Sequence, residues 1–276
     1  MAVVEIAGRK AELRDCPLCG EAERLSPESP YSEKPWAMKR CRHCGFVYLN
    51  AAPLYEELVE DYSWDKTAVD WHQRRKAKYP ILYRLSKSTR WRLHLFKRKR
   101  VEDILYRYVN AGNVIDVGCG KGAQLRQLSD TYVPFGIEIS QVEAAHALEW
   151  VKQRGRDVIV KSARDGLRAF PENFAAGVFM RSFLEHEMYP KAVLRETARV
   201  LQSRGIAIIK IPNYGCVNRM VLGRKWPGFR FPDHLNYFTP QTLLAMCRQC
   251  GLSIRRFGLT DRFPFNDNMW LIAGKN

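Results

Sequence analysis

From residue 113 onward, short apolar runs alternate with amphipathic stretches. The runs are too short for helices and are bounded by turn residues. They predict strands at 114–117, 133–139, 158–160, 177–180, 205–211, 253–259 and 269–273. Between them, apolar positions at helical spacing predict helices at 123–129, 141–154, 191–201 and 240–250. Strands alternating with helices imply an α/β fold, a mostly parallel sheet covered on both faces. Upstream, residues 16–44 hold two cysteine pairs, and 51–62 read as a short acidic helix after Pro53. Residues 66–109 carry long helical patterns broken near Pro80. The pattern divides the chain into a cysteine module with its acidic helix (1–62), a helical connector (63–110) and an α/β domain (111–276).

Composition sharpens this division. The 276 residues carry a formal charge of +16. Residues 1–62 hold 8 basic and 11 acidic side chains, residues 63–110 hold 14 and 4, and the remainder 23 and 14. The connector is therefore the most basic part per residue, a feature that suits nucleic acid, an anionic membrane surface or an acidic substrate. No run of about 18 apolar residues is present, so no membrane-spanning helix is expected. The first ten residues include Glu5 and lack an apolar core, which argues against a secretory signal. The expected location is the cytoplasm, with peripheral membrane attachment open through the connector. In that reducing compartment eight cysteines suggest metal ligands or free thiols before disulfides.

Residues 113–122 read NVIDVGCGKG, an apolar strand running into glycines. Glycines let backbone approach a ligand, and a helix opening behind them would offer free N–H groups. Gly118, Gly120 and Ala123 also satisfy a dinucleotide pattern, with Glu138 twenty residues after Gly118. Lys121 is followed by Gly122, which excludes a Walker loop. Asp116 separates the remaining options: a carboxylate at the strand end repels a pyrophosphate and suits a cationic cofactor.

The segment 114–122 (VIDVGCGKG) resembles motif I of the class I S-adenosylmethionine-dependent methyltransferases, and Gly136–Ser140 (GIEIS) is similar to the strand that follows it. Phe183-Leu184-Glu185-His186 resembles the end of that family's fourth strand. Arg199-Val200-Leu201 with Gly205, Ile211-Pro212-Asn213 and the run from Asp233 to Thr239 (DHLNYFT) match later signatures. Two positions depart from the family pattern. The acid usual before the fourth strand is absent from Asn173-Phe174-Ala175-Ala176, and Ile206 stands where a second glycine is usual. The resemblance implies a Rossmann-like, doubly wound, seven-stranded sheet. It implies cofactor contacts at Asp116, Gly118, Cys119, Gly120, Glu138, Ile139, Ser162 and Ala163. Glu138 would hold the ribose and Ser162-Ala163 would lie near adenine.

Cys16-x2-Cys19 and Cys41-x2-Cys44 each run into a glycine, Gly20 and Gly45. Two such knuckles complete a tetrahedral zinc site, and four thiolates leave no open position, so the expected metal is structural. Metal-free dithiols are the alternative. Some class I methyltransferases carry a similar cysteine module, in a subgroup linked to small-molecule or sugar methylation. Cys247 and Cys250 share a helix face and read as packing.

Methyl transfer needs a positioned acceptor and a place for its proton. His186, at a strand's carboxyl end, is the expected base, and His234 is the alternative; Glu185, Asn213 and Tyr237 are expected to contact the acceptor. The expected acceptor is a hydroxyl of a small molecule, sugar or glycolipid intermediate. RNA is the second candidate, because aromatic and basic residues interleave over 71–100. A cofactor-binding scaffold without turnover is the third. A second basic aromatic patch, 219–231, reads either as a lid over the substrate mouth or as a surface loop.

Overall fold

The computed structural model describes residues 2–6, 8–54, 73, 76, 77, 80, 100–154 and 156–275. The expected acidic helix beyond residue 54, nearly all of the basic segment at 71–100 and the boundary after residue 62 lie outside them. Residues 51–53, read as the lead into that helix, form a strand instead. β5 (Ala51–Pro53) pairs with β2 (Arg9–Leu13), which also pairs with β1 (Val3–Ile6).

All seven expected strands of the α/β region form one sheet. They are β6 (Gly112–Val117), β7 (Tyr132–Glu138), β8 (Val158–Val160), β9 (Ala175–Arg181), β10 (Leu201–Pro212), β12 (Leu252–Arg256) and β13 (Asn268–Lys275). The spatial order is β8-β7-β6-β9-β10-β13-β12. The first five run parallel, and β13 lies antiparallel between β10 and β12. After β8 the chain returns to the far side of β6 to lay down β9. The carboxyl ends of β6 and β9 therefore flank a topological switch point, where open α/β sheets bind ligands.

The period-2 rule explains how both faces are covered. Ile115, Val117, Val178, Met180, Ala207 and Ile209 point into one core, with α3 (Ala163–Arg168), α4 (Pro190–Val200) and α5 (Pro240–Gln249). Val114, Phe179, Ile206 and Ile208 point into the other, with α1 (Val101–Tyr108) and α2 (Gln141–Lys152). Cys247 and Cys250 lie in the first core as packing residues. Where the acid before β9 is absent, Lys275 Nζ binds Glu172 and Asn173 instead, at 3.1 and 2.7 Å. Ile206 is buried in the sheet.

The helix expected at 123–129 is reduced to one 3-10 turn, Leu125–Gln127. Leu125 and Leu128 are both buried three residues apart, the spacing that a 3-10 turn superimposes. The chain enters β7 four residues after Leu128, leaving no room for an α-helix. The glycine loop thus lacks the helix N-terminus expected behind it.

The cysteine module is joined to the α/β region through a second, three-stranded sheet rather than appended to it. β3 (Met38–Arg40) pairs with β4 (Val47–Leu49), and β4 pairs with β11 (Asn236–Tyr237). Phe46 and Tyr48 enter the same core as Phe238 and Leu243. The patch at 219–231 is part of this joint. Trp226 and Phe229 are buried with Trp36, Met38 and Tyr214, and Arg224 donates to the carbonyls of Pro30 and Ser32. Among the described residues no helix is long and apolar enough to cross a membrane.

Arg14, only 3% exposed, ties these parts together. Its guanidinium donates to the carbonyls of Leu49 and Leu235 (3.4 Å each) and Met188 (3.0 Å), and to Asn236 Oδ1 (2.9 Å). Arg14→Met should cost about 2–4 kcal/mol in chemical denaturation, because it strands several buried acceptors at about 1–3 kcal/mol each with partial relaxation. Arg14→Lys should recover little, since an ammonium cannot span the fork. A loss below about 1 kcal/mol in either variant would contradict this account.

Candidate functional site

The site starts at the end of β6. Gly118 adopts φ +73°, and a Cβ there would sit 2.5 Å from the Phe183 ring, so the position admits only glycine. The Gly118 and Cys119 amides donate to the Ile137 carbonyl, which fastens the loop to β7. Cys119 is buried behind the loop, and burial pushes its thiol up.

Three acids surround this loop. Asp116 is buried on β6; burial, and then the nearby Glu138, raise its carboxyl well above the usual range, against an opposing pull from Arg181. Glu138, at the end of β7, accepts from the Gly120 amide (2.8 Å) and the Ser140 amide (2.9 Å). Glu143 is the third, which sequence reasoning missed. It lies three residues after Ser140, the signature of a capping box. Glu138 already holds the Ser140 amide, and the Glu143 carboxylate instead meets Lys121 Nζ at 3.5 Å beside Gly120. Ile139 is half-buried beyond β7. Ser162 follows β8 and caps α3, with its hydroxyl bound to Asp165 and Ala163 buried beside it. The expected cofactor residues thus line the carboxyl ends of β6, β7 and β8. A ring of acids with exposed backbone nearby fits a cofactor bearing positive charge and hydroxyls.

A second cluster lies past β9. Phe183, packed on Gly118, opens a turn in which the His186 amide donates to the Phe183 carbonyl (2.9 Å). That turn carries Glu185 and His186 toward His234, and ligand-capable atoms of the three lie within 4.8 Å of one another. The two imidazoles meet edge to face with centroids 4.7 Å apart. His186 Nδ1 lies 2.9 Å from the Asp233 carbonyl, and His234 Nδ1 lies 2.8 Å from the Gly228 carbonyl. A carbonyl only accepts, so both Nδ1 atoms carry the proton and each Nε2 is the basic nitrogen.

Burial, reinforced by the Arg230 charge, lowers His186 to about 3. Burial, His186 and Arg230 lower His234 in the same direction, so both rings are neutral at neutral pH. Burial lifts Glu185 to about 7, and its Oε2 is buried without a hydrogen-bond partner. Arg230 is itself held by Asp233 at 3.0 Å.

Asn236 builds this convergence. Its Nδ2 donates to the Leu184 carbonyl (2.9 Å) and the Glu187 carbonyl (2.6 Å), while the Leu235 and Asn236 amides both reach the Glu185 carbonyl. Of the expected acceptor residues, Tyr237 is buried in an aromatic group with Tyr214, Phe229 and Phe231. Asn213 is buried and turned inward, accepting from the Gly215 amide.

The four N-terminal cysteines also converge. Cys16 and Cys44 Sγ are 3.5 Å apart, Cys19 and Cys41 Sγ 3.4 Å, and all four lie within 4.8 Å of one another. Tetrahedral zinc with bonds of about 2.3 Å would separate sulfurs by about 3.8 Å, so little adjustment is needed. The knuckles are alike: the Gly20 amide reaches Cys16 O (2.8 Å), and the Gly45 amide reaches Cys41 O (3.0 Å). Both glycines have positive φ, +81° and +71°. Glu21 Oε2 accepts from Cys41 Sγ and from the Arg42 and His43 amides, bracing the second knuckle.

The family profile of the methyltransferase domain matches residues 59–256. No curated protein matches the chain. Among solved structures, a Pyrococcus horikoshii protein is similar at 20% identity and a TM-score of 0.52, covering 64% of this chain and 88% of its own. A SAM-dependent methyltransferase from Archaeoglobus fulgidus is similar at 17% identity and a TM-score of 0.48, covering 71% of this chain and 100% of its own. With a family match spanning most of its length and the strand order described above, the chain belongs to the class I S-adenosylmethionine-dependent methyltransferases and is an enzyme of that family.

Proposed function

We propose that the enzyme methylates a hydroxyl of a small molecule, a sugar or a glycolipid intermediate. The observation that carries this reading is the juxtaposition of the acid-ringed glycine loop with the Glu185–His186–His234 cluster, bridged by Phe183 packed on Gly118. S-adenosylmethionine supplies a methyl carbon activated by its sulfonium. Asp116 complements the positive charge of the cofactor's amino-acid end, and Glu138 takes the ribose hydroxyls in exchange for its bonds to Gly120 and Ser140. Ser162 and Ala163 border the adenine end, and Cys119 and Ile139 line the remainder.

The acceptor oxygen bonds to the methyl carbon as the carbon–sulfur bond breaks, and its proton must leave. His186 Nε2 is the expected proton acceptor, with His234 Nε2 as the second. Glu185 lies beside both and fits a role in holding the acceptor. Tyr237 contributes an apolar wall, and Asn213 serves through the turn it stabilises. The four cysteines are proposed to hold a structural zinc, which the matched knuckles and the small sulfur adjustment support.

Radiolabelled methyl transfer to fractionated cell extract tests the acceptor class: label is expected in small-molecule, nucleotide-sugar or lipid pools, and label confined to RNA or protein would overturn it. Asp116→Asn should weaken S-adenosylmethionine binding about tenfold to a hundredfold in calorimetry, or about 1.4–2.7 kcal/mol. A cationic ligand favours the ionised Asp116 carboxylate. Wild-type affinity should therefore rise with pH up to the elevated titration range of the free Asp116 carboxyl, by at most about tenfold per unit, with proton release on binding. A flat profile together with unchanged affinity in Asp116→Asn would refute the charge argument. Replacing Cys19 and Cys44 by Ser should remove one equivalent of zinc and lower the melting temperature; zinc content equal to wild type would exclude the cysteine site.

A further inference from the structure

We infer that Glu185, His186 and His234 form a second metal centre, a three-ligand site for a divalent first-row transition ion, distinct from the four cysteines. Two imidazole nitrogens and one carboxylate oxygen converge within 4.8 Å. That donor set suits zinc, iron or cobalt rather than magnesium or calcium, which prefer all-oxygen shells. Three protein ligands also leave coordination positions open, the arrangement of catalytic rather than structural sites.

The surrounding shell is already built for this task. Metal-ligating histidines characteristically donate their second ring N–H to a carbonyl or carboxylate, which aims the other nitrogen at the ion. His186 does so to Asp233 O and His234 to Gly228 O. The backbone carrying Glu185 is held by the Leu235 and Asn236 amides, and its Oε2 is buried without a hydrogen-bond partner. A carboxylate oxygen in that condition is costly unless something satisfies it. Arg230 opposes a cation here, since its charge reaches all three side chains. Its ion pair with Asp233 offsets that field. The Lys210 charge reaches Glu185 and His234 as well, and its ammonium is bound to the Ser182 hydroxyl at 3.0 Å.

The centre deepens the methyl-transfer reading and rests on it only for its catalytic meaning. An acceptor hydroxyl at an open position would lose its proton more readily, because a cation stabilises the oxyanion. The proton passes to water, the oxygen bonds to the methyl carbon, and the sulfonium departs as a neutral thioether. In the cation-free protein the imidazoles remain the proton acceptors described above.

Metal titration of the full-length protein decides the matter. Wild-type protein already holding its cysteine-bound zinc should take up one further equivalent of Zn2+ or Co2+ by calorimetry. Glu185→Gln and His234→Gln should keep the first equivalent and weaken the second by about a hundredfold, at least the loss usual for altering a merely supporting partner. Circular dichroism and S-adenosylmethionine binding establish that the variants fold. A readout on wild type alone removes dependence on them: protein loaded with Co2+ at this position should show visible absorption of nitrogen–oxygen ligation, without thiolate charge transfer. Wild type that takes up no equivalent beyond the cysteine-bound one, or a further equivalent with unchanged affinity in both variants, would overturn the centre. Protein that takes the second cation yet ignores S-adenosylmethionine would sink the methyl-transfer reading and leave the centre standing; the reverse result would do the opposite.

Discussion

The placement of every reactive group past β9 depends on one buried exchange of hydrogen bonds, Arg14 to Asn236 and Asn236 to the 184–187 turn. Arg14 brings the N-terminal module to the Asn236 oxygen. The Asn236 amide nitrogen, on the other side, holds the Leu184 and Glu187 carbonyls. Between those two carbonyls lie Glu185 and His186, and two residues before Asn236 lies His234. A carboxamide that both accepts and donates is suited to this position, because it joins a cation to two carbonyls without adding charge. The low dielectric around it makes each bond stronger and each missing partner more costly.

In the proposed reading the two clusters do different work. The proposed cofactor end is defined by backbone: glycines, amides and the acids they face. The proposed acceptor end is defined by side chains whose neighbours set their tautomer and charge. Phe183 belongs to both, packing on the loop and opening the turn. A shift of the loop is therefore felt at the histidines, which suits a reaction that requires in-line alignment of two molecules.

Much of this was legible in the sequence, for identifiable reasons. The sheet strands announce themselves because alternate residues enter opposite cores, as Val114 and Ile115 do. The cysteine knuckles announce themselves because two-residue spacing and a following glycine have few other uses. Residues 123–129 read as an α-helix because Leu125 and Leu128 fit an α-helix and a 3-10 turn equally well. Glu143 was hidden because its spacing from Ser140 is that of a cap, and only the capture of the Ser140 amide by Glu138 releases it. Arg14 carried no signal, since its partner Asn236 lies 222 residues away. His186 and His234 are each legible as candidate bases, but no spacing rule brings His234 together with Glu185.

The strand pairing of Tyr48 with Asn236 has a consequence for how the protein is made. All four cysteines leave the ribosome together, well before the segment that packs on them. The neighbours that complete the module, β11 and Phe238, are synthesised long after the cysteines. Until then Phe46 and Tyr48 lack the surface that buries them. Domains usually fold as they emerge, N-terminal part first. Here the knuckles wait on β11 and Phe238, and a chain truncated before residue 236 would keep its four cysteines and still expose an apolar flank.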